Sequence, residues 1–325
     1  MNILIQHNAL LPISKYGGTE RVVWWLGKHL AKMGHRIIFL VKVGSTCPFA
    51  EILAYDATKS LDEQIPDYVD VVHLNSVFGE TRKPQLLTAH GNSTFGEKLS
   101  INSVFVSKNH AERHGATAFV HNGLDFNEYG KPDLHSPRKH LHFLAKAAWR
   151  IKNVKGAIEL ARRSKNRLEV MGGNRLNIKM GFRFTPYPSV RFHGMVGDVE
   201  KCQIMGQSKA LLFPVLWYEP FGIAIIESLF MGCAVVGTPY GSLPEIVTDE
   251  VGFLSVHKSE LVDKLLNINE INPKTCHEYA TDVFSAKAMA RKYFEYYEEI
   301  LAGRNLNTQI PTLLENSPKF LPFLP

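Results

Sequence analysis

The chain has 325 residues, which at about 150 residues per domain suggests two domains. Hydrophobic residues make up 45% and charged residues 21%, a balance that excludes disorder and collagen-like repeats. The net charge of +6 is unevenly placed: residues 139–195 hold 13 Lys and Arg against 2 Asp and Glu, whereas residues 196–325 hold 10 against 16. An anionic ligand, an anionic membrane surface or nucleic acid would each suit such a basic block. The aromatic interleaving of a single-strand platform is thin there, so no nucleic-acid partner is expected.

Asn2–His7 reads as a buried parallel strand, followed by a loop with Pro12 and the pair Gly17-Gly18. Thr19 is expected to cap a helix over 20–33 that presents Val22, Val23, Leu26 and Leu30 on one face and stops at Gly34. Arg36–Val41 is the next strand, completing a parallel crossover unit of about forty residues. Strands are expected at 69–74, 85–89, 104–106 and 118–120, and the turn-rich segment 122–138 reads as a connector. The pattern then restarts. Strands are expected at 142–145, 168–171, 190–193, 210–213 and 234–237, with helices at 154–163, 222–231 and 285–301. The economical reading is α/β: two doubly wound parallel sheets with a ligand in the cleft between them. The expected domains are 1–130 and 139–285, with a helix 286–301 crossing back to the first and an irregular tail 302–325.

Cys47, Cys202, Cys233 and Cys276 form no CxxC pair, so neither a zinc site nor a disulfide framework is expected. The N-terminal stretch has no basic n-region and no small-residue cleavage site, so no signal peptide is expected. Pro214, Glu219, Pro220 and Glu227 interrupt the longest apolar run, which therefore does not span a bilayer. The expected location is cytoplasmic, with peripheral contact to an anionic membrane left open by the basic block.

Residues 217–227, Trp-Tyr-Glu-Pro-Phe-Gly-Ile-Ala-Ile-Ile-Glu, are the most informative stretch. Glu219 falls in a loop, Phe221, Gly222 and Ile223 at a helix start, and Glu227 just over one turn in. Free N–H groups at a helix start attract phosphate, and glycine lets a ligand approach the backbone. The two carboxylates are placed to accept hydrogen bonds from sugar hydroxyls. Taken alone, the stretch would equally suit an amphipathic helix with a capping acid.

Its neighbours decide between these. Tyr-Gly-Gly-Thr-Glu (16–20), Thr-Ala-His-Gly (88–91), Asn-Gly-Leu-Asp (122–125), Met-Gly-Gly (171–173), Phe-His-Gly-Met-Val (192–196), Glu-Pro-Phe-Gly-Ile (219–223) and Tyr-Gly-Ser-Leu-Pro-Glu-Ile-Val (240–247) occur in this order. Each box is weak, but their order resembles retaining glycosyltransferase family 4, of the GT-B fold, over nearly the whole chain up to about residue 301. The resemblance implies Gly17 and Gly18 near the donor diphosphate, Glu219 and His90 near the donor sugar, and Glu227 at the nucleotide ribose. It further implies donor contacts from Gly172, Gly173, Met195, Val196 and the backbone of Phe221, Gly222 and Ile223. The diphosphate would be neutralised by Lys146 and Lys152, with Arg150 as helper. The match departs from the family here, since Ala145-Lys146 and Lys152-Asn153 stand where Gly-Arg and Lys-Gly are usual, and Arg150 and Lys155-Gly156 compete. Asn75 stands where His is frequent, and Ser242 replaces a common Gly.

The resemblance implies a metal-independent hexosyltransferase of glycan biosynthesis with no cofactor. Its substrates would be a nucleoside-diphosphate sugar, UDP- or GDP-linked, and a hydroxyl-bearing glycan, glycolipid or small molecule. The rivals are a GT-B sugar-nucleotide epimerase and a catalytically inactive nucleotide-sugar-binding module. A nicotinamide dehydrogenase is disfavoured because GxGxxG is missing after the first strand.

Overall fold

A computed structural model describes residues 1–13, 17–76, 79–178 and 180–325. The chain divides into two compact units: Met1–Asp125 with Phe284–Asn316, and Phe126–Val283 with Ser317–Pro325. The segment 126–138, read above as a connector, thus belongs to the second unit.

The first unit is built from β1 (Asn2–His7), α1 (Gly18–Lys32), β2 (Arg36–Val41), β3 (Glu51–Ala54), β4 (Val71–Leu74), β5 (Gln85–Ala89), β6 (Ser103–Phe105) and the short α2 (Lys108–Glu112). The second contains β7 (His140–Leu144), α3 (Val154–Arg163), β8 (Leu168–Met171), β9 (Leu176–Asn177), β10 (Arg183–Phe184), β11 (Val190–Phe192), α4 (Asp198–Gly206), β12 (Ser208–Phe213), α5 (Ile223–Phe230), β13 (Ala234–Gly237), α6 (Leu243–Ile246), β14 (Gly252–Leu254), α7 (Lys258–Leu266) and α8 (Pro273–Val283). Finally, α9 (Ala286–Leu301) returns to the first unit.

Each unit has one six-stranded sheet. The orders are β3-β2-β1-β4-β5-β6 and β11-β8-β7-β12-β13-β14, and every pairing within them is parallel. In both, the third, second and first strands precede the fourth, fifth and sixth. The direction of winding therefore reverses between the first and fourth strands, at β1/β4 and at β7/β12. Loops leaving the carboxyl ends of those strands diverge there and open a crevice for ligands. The strands are continuous apolar runs because both sheet faces are covered: Ile3, Leu4, Ile5 and Phe39 are completely buried, as are Leu211, Leu212 and Val235.

Several local expectations are corrected. The first helix begins at Gly18, so Thr19 lies inside it and no side chain caps its start. The segment 118–120 is not a strand; only Phe119 bridges to Phe105 at the sheet edge. The edge strand β3 was not anticipated. Its residues are only partly buried, so they lack the apolar run that marks a central strand.

The helix α9 is fastened to the first unit by a buried polar chain as well as by apolar packing. Tyr293 and Tyr297, one turn apart, project inward from it and are buried with Met289, Ala290 and Ile300. The Tyr297 hydroxyl meets His73 Nδ1 at 2.7 Å, His73 Nε2 meets Thr88 Oγ1 at 2.7 Å, and Thr88 Oγ1 meets the Tyr293 hydroxyl at 2.9 Å. The second unit has a counterpart in His142, whose ring nitrogens meet Ser208 Oγ at 2.7 Å and Ser228 Oγ at 2.9 Å, tying β7 to β12 and α5.

Complete burial lowers the pKa of both His73 and His142 to about 3. The folded state holds these rings neutral, while the unfolded chain protonates them near 6.5. Their stabilisation is therefore complete above pH 6.5 and is lost as the pH falls from there toward 3. Each unit is expected to lose roughly 1 kcal/mol between pH 6 and pH 5 from its own histidine. Urea unfolding followed across that range should show falling midpoints, and a flat midpoint would contradict this.

Candidate functional site

In the second unit the expected residues gather at the carboxyl ends of β7 and β12, at the winding reversal. After β7 the chain runs through Lys146 and Trp149 into a 3-10 turn, Arg150–Lys152. Asn153 then adopts a left-handed conformation (φ 55°) and caps α3 by accepting from Gly156 N–H at 3.0 Å. This tight reversal aims Lys152 at the loop after β12. Leu216 N–H donates to the Ile151 carbonyl at 2.7 Å, and the Asn153 side-chain amide donates to the Pro214 carbonyl at 2.9 Å, so the two loops are stitched together.

Glu219 is the focus of that seam. Its Oε2 receives Lys152 Nζ at 2.5 Å and Trp217 Nε1–H at 2.8 Å, and both charged side chains are nearly buried. Lys152 Nζ also lies 4.9 Å from the Trp217 ring centroid and 5.4 Å from that of Phe213. The Glu219 backbone is equally confined. It bridges to Gly241, and Ser242 N–H donates to its carbonyl at 2.9 Å. Gly241 has φ 68°, and a Cβ there would run into the backbone N and O of Glu219. Ser242 has a structural duty of its own, its hydroxyl donating to the Phe221 carbonyl at 2.8 Å.

Phe221 is buried, Gly222 takes φ 84°, and α5 begins at Ile223. No side chain caps this start; Ile225 N–H donates to the Gly222 carbonyl at 2.9 Å, and the N–H groups of Ile223 and Ala224 lack intrahelical partners as at every helix start. Together with the adjacent lysine they make a positive end suited to phosphate. Lys146 does not join the Glu219 cluster; its Nζ lies 5.2 Å from the Trp149 ring centroid. Arg150 lies over Phe320, 4.9 Å from the ring centroid.

Gly172 and Gly173 follow β8. Gly172 N–H donates to the Gly194 carbonyl at 2.6 Å, Gly173 bridges Gly194, and Ala147 N–H donates to the Gly172 carbonyl at 2.9 Å. A Cβ on Gly172, which has φ 107°, would strike the Ala145 carbonyl. The glycines thus let three loops approach each other. Met195 is 54% exposed beyond them and Val196 is partly buried.

In the first unit, Gly17 immediately precedes α1 and Gly18 is its first residue. Tyr16 of the same box lies outside the described residues. His90 follows β5, and its Nε2 meets Asn75 Oδ1 at 2.8 Å, while the Asn75 amide donates to the Gln6 carbonyl at 3.3 Å. That second bond sets the Asn75 amide so that its oxygen accepts, which puts the proton on Nε2 and leaves Nδ1 as an acceptor. Burial pushes His90 down to about 3, so the ring is neutral at pH 7. Asn75, which departs from the expected residue type, is the group that orients His90. Among the described residues, no cluster of His, Cys, Asp and Glu has a metal-binding arrangement.

Glu227, expected at the nucleotide ribose, is engaged by protein partners in this structure. Its Oε1 receives Lys201 Nζ at 2.6 Å and the Tyr129 hydroxyl at 2.7 Å, and Lys201 also meets Asp198 at 3.1 Å. Tyr129 and Lys201 were not anticipated as its partners, because they lie 98 and 26 residues away and no local motif announces them. Trp217 was visible inside the Trp-Tyr-Glu stretch, but an indole next to a glutamate two residues on has no pattern of its own. Removing Glu227 takes from the buried Lys201 ammonium its shorter carboxylate contact, 2.6 Å against 3.1 Å for the half-exposed Asp198. Glu227→Ala is expected to cost about 1–3 kcal/mol in urea unfolding. Adding Lys201→Met should recover part of that loss in a double-mutant cycle, and additive losses would show the pair to be uncoupled.

Residues 133–270 match the model of a family described as glycosyl transferases group 1. AviGT4, a glycosyltransferase involved in avilamycin A biosynthesis, superposes with a TM-score of 0.77 at 18% identity, over 93% of this chain and 98% of that one. HepE of Anabaena, solved in complex with UDP and glucose, superposes with a TM-score of 0.66 at 14% identity, over 91% and 99%. WaaG, a glycosyltransferase involved in lipopolysaccharide biosynthesis, gives 0.60 at 16% identity, over 93% and 100%. An uncharacterized 41.2 kDa protein in the cps region of Klebsiella pneumoniae is 27% identical over 117 residues, which is 34% of this chain and 32% of that protein's length. The match to the glycosyl transferases group 1 model thus covers less than half of the chain, and the fold is that of the GT-B glycosyltransferases.

Proposed function

We propose that this protein is a retaining glycosyltransferase that moves a sugar from a UDP- or GDP-linked donor to a hydroxyl acceptor without a metal. The observation that carries the reading is the Lys152–Glu219–Trp217 cluster beside the uncapped start of α5, at the winding reversal of the second unit. The UDP and UDP-glucose complexes of HepE support a nucleotide-sugar donor on this fold.

A nucleoside diphosphate leaves readily once its growing negative charge is met, so strong general-acid catalysis is not required. Lys152 and the first turn of α5 meet that charge, with Lys146 contributing when it leaves Trp149. In the empty site Lys152 neutralises Glu219. A diphosphate draws the ammonium toward itself and frees the carboxylate to accept from the hydroxyls of the transferred sugar. Glu219 then orients the sugar and stabilises positive charge at the anomeric carbon. The diphosphate takes the acceptor proton on the face from which it departs, which retains configuration. Neutral His90, with its Nδ1 lone pair, serves as a hydrogen-bond acceptor, and Glu227 takes the ribose hydroxyls in exchange for Tyr129.

The cognate donor is expected to stabilise the protein by about 2.7 kcal/mol at a hundred times its dissociation constant, read as a thermal shift across UDP-, GDP- and ADP-sugars. Lys152→Ala should lower turnover much more than donor affinity, because its charge acts on the departing phosphate. Turnover unchanged by EDTA, a product of retained anomeric configuration by NMR, and nucleotide release that requires an acceptor would each agree with the proposal. Nucleotide release without transfer, or equal losses in affinity and turnover for Lys152→Ala, would refute it.

A further inference from the structure

The strands β9 and β10 form a two-stranded ribbon that belongs to neither six-stranded sheet. Their antiparallel register pairs Leu176 with Phe184 and Asn177 with Arg183. Directly paired residues share a face of a ribbon, so Leu176 and Phe184 lie on one side. Leu176 is 51% exposed and Phe184 57%, and in the segment connecting the two strands Ile178 is 75%, Met180 57% and Phe182 70% exposed. Arg183 within β10 and Arg175 just before β9 anchor the ribbon to the protein. The Arg183 guanidinium is buried, donating to Thr185 Oγ1 and to the Asn174 carbonyl at 2.9 Å each. Arg175 donates to the carbonyls of Thr185, Tyr187 and Val190 at 2.6–3.1 Å. The ribbon is thus held in place by its arginines and presents five large apolar side chains to the outside, a display that marks a contact surface.

The surroundings are cationic. The ribbon belongs to the stretch 139–195, with 13 Lys and Arg against 2 Asp and Glu. Arg150 lies beside its turn, since a Cβ at Gly181 would sit 3.9 Å from Arg150 Cδ. A cavity of about 350 Å³ opens between them, lined by Trp149, Arg150, Lys155, Phe182 and Phe320 among others. An apolar projection with an exposed tryptophan and cations at its base is the arrangement that enters the headgroup and upper acyl region of a bilayer. A second copy of this chain is a poorer occupant. It would bring two strongly basic segments together, and one short ribbon buries much less than the roughly 800 Å² per partner of a stable interface.

We propose that the β9–β10 ribbon docks the protein on a bilayer bearing anionic headgroups, with its apolar side inserted and the cavity beside Arg150 and Lys155 receiving a phosphate headgroup. The experiment is co-sedimentation of the full chain with vesicles of phosphatidylethanolamine and phosphatidylglycerol, or of phosphatidylcholine alone. It is repeated for the double substitution Ile178→Glu, Phe182→Glu; both side chains are largely exposed, so folding should survive and is checked by thermal melting. The wild type should partition at least tenfold more strongly onto the anionic vesicles, release in high salt, and lose at least tenfold on double substitution with an unchanged melting temperature. Wild type that stays in the supernatant with anionic vesicles, or a variant that pellets as the wild type does, overturns the proposal. A solution dimer by light scattering that the substitution dissociates would assign the face to a second copy and overturn it too. Nucleotide affinity, measured in parallel, tests the donor site separately.

Discussion

Glu219 is confined on both sides, and the arrangement of the second unit follows from that confinement. Its backbone is pressed against Gly241, where even a methyl group would collide, and its carboxylate is held by Lys152 and Trp217. A carboxylate on a loop would ordinarily sample many rotamers and face water. Here the sheet order places the loops after β7 and β12 side by side, so the lysine of one reaches the glutamate of the other. Burying two charges is costly unless their geometry satisfies them, and a pair of this kind is weak evidence of selection for stability alone. An arrangement that keeps such a pair next to an uncapped helix start makes better sense as a store of charge for a ligand than as a fastening.

The same logic separates the two glutamates of the 217–227 stretch. Glu219 lies in a loop, where exchange of a lysine for a diphosphate requires only side-chain motion. Glu227 lies within α5, and its partners come from elsewhere: Lys201 on α4 and Tyr129 in the segment before β7. Under the proposed function, a ribose at Glu227 displaces the tyrosine or shares the carboxylate with it. Lys201 has Asp198 as a second partner, which lowers the cost of that exchange.

Much of this was legible in the sequence, for identifiable reasons. Central strands such as Asn2–His7, Arg36–Val41, Gln85–Ala89 and Ala234–Gly237 coincide with their expected limits because burial on both faces demands an uninterrupted apolar run. Edge elements do not, and β3 and β14 carry too few buried residues to stand out. The glutamates and lysines of the site were visible as residues, since helix starts and strand ends have local signatures. Their pairings were not. Whether Lys146 or Lys152 reaches Glu219 depends on the left-handed turn at Asn153, and whether Asn75 matters depends on a strand neighbour fifteen residues away in sequence. Periodicity also missed the β9–β10 ribbon, because each of its strands is only two residues long.

The tail read as irregular is tied to the site by ordinary backbone chemistry. Residues 317–325 belong to the second unit, where Leu321 is buried and its N–H donates to the Leu216 carbonyl at 2.8 Å. The N–H of the same Leu216 donates to the Ile151 carbonyl, so the residue preceding Trp217 is held from two directions. Further along, Tyr240 donates its hydroxyl to the Pro322 carbonyl at 2.7 Å, one residue before the glycine that confines Glu219. Leu324 N–H donates to the Val256 carbonyl, and Lys258 N–H donates to the Leu324 carbonyl. Prolines at 318, 322 and 325 suit this role, because a strap with fixed φ loses little conformational entropy on docking and need not pair in a sheet. A segment without helix or strand thus supports both loops that position the carboxylate. Its contacts fall on the loops that carry Lys152 and Glu219 rather than on their side chains.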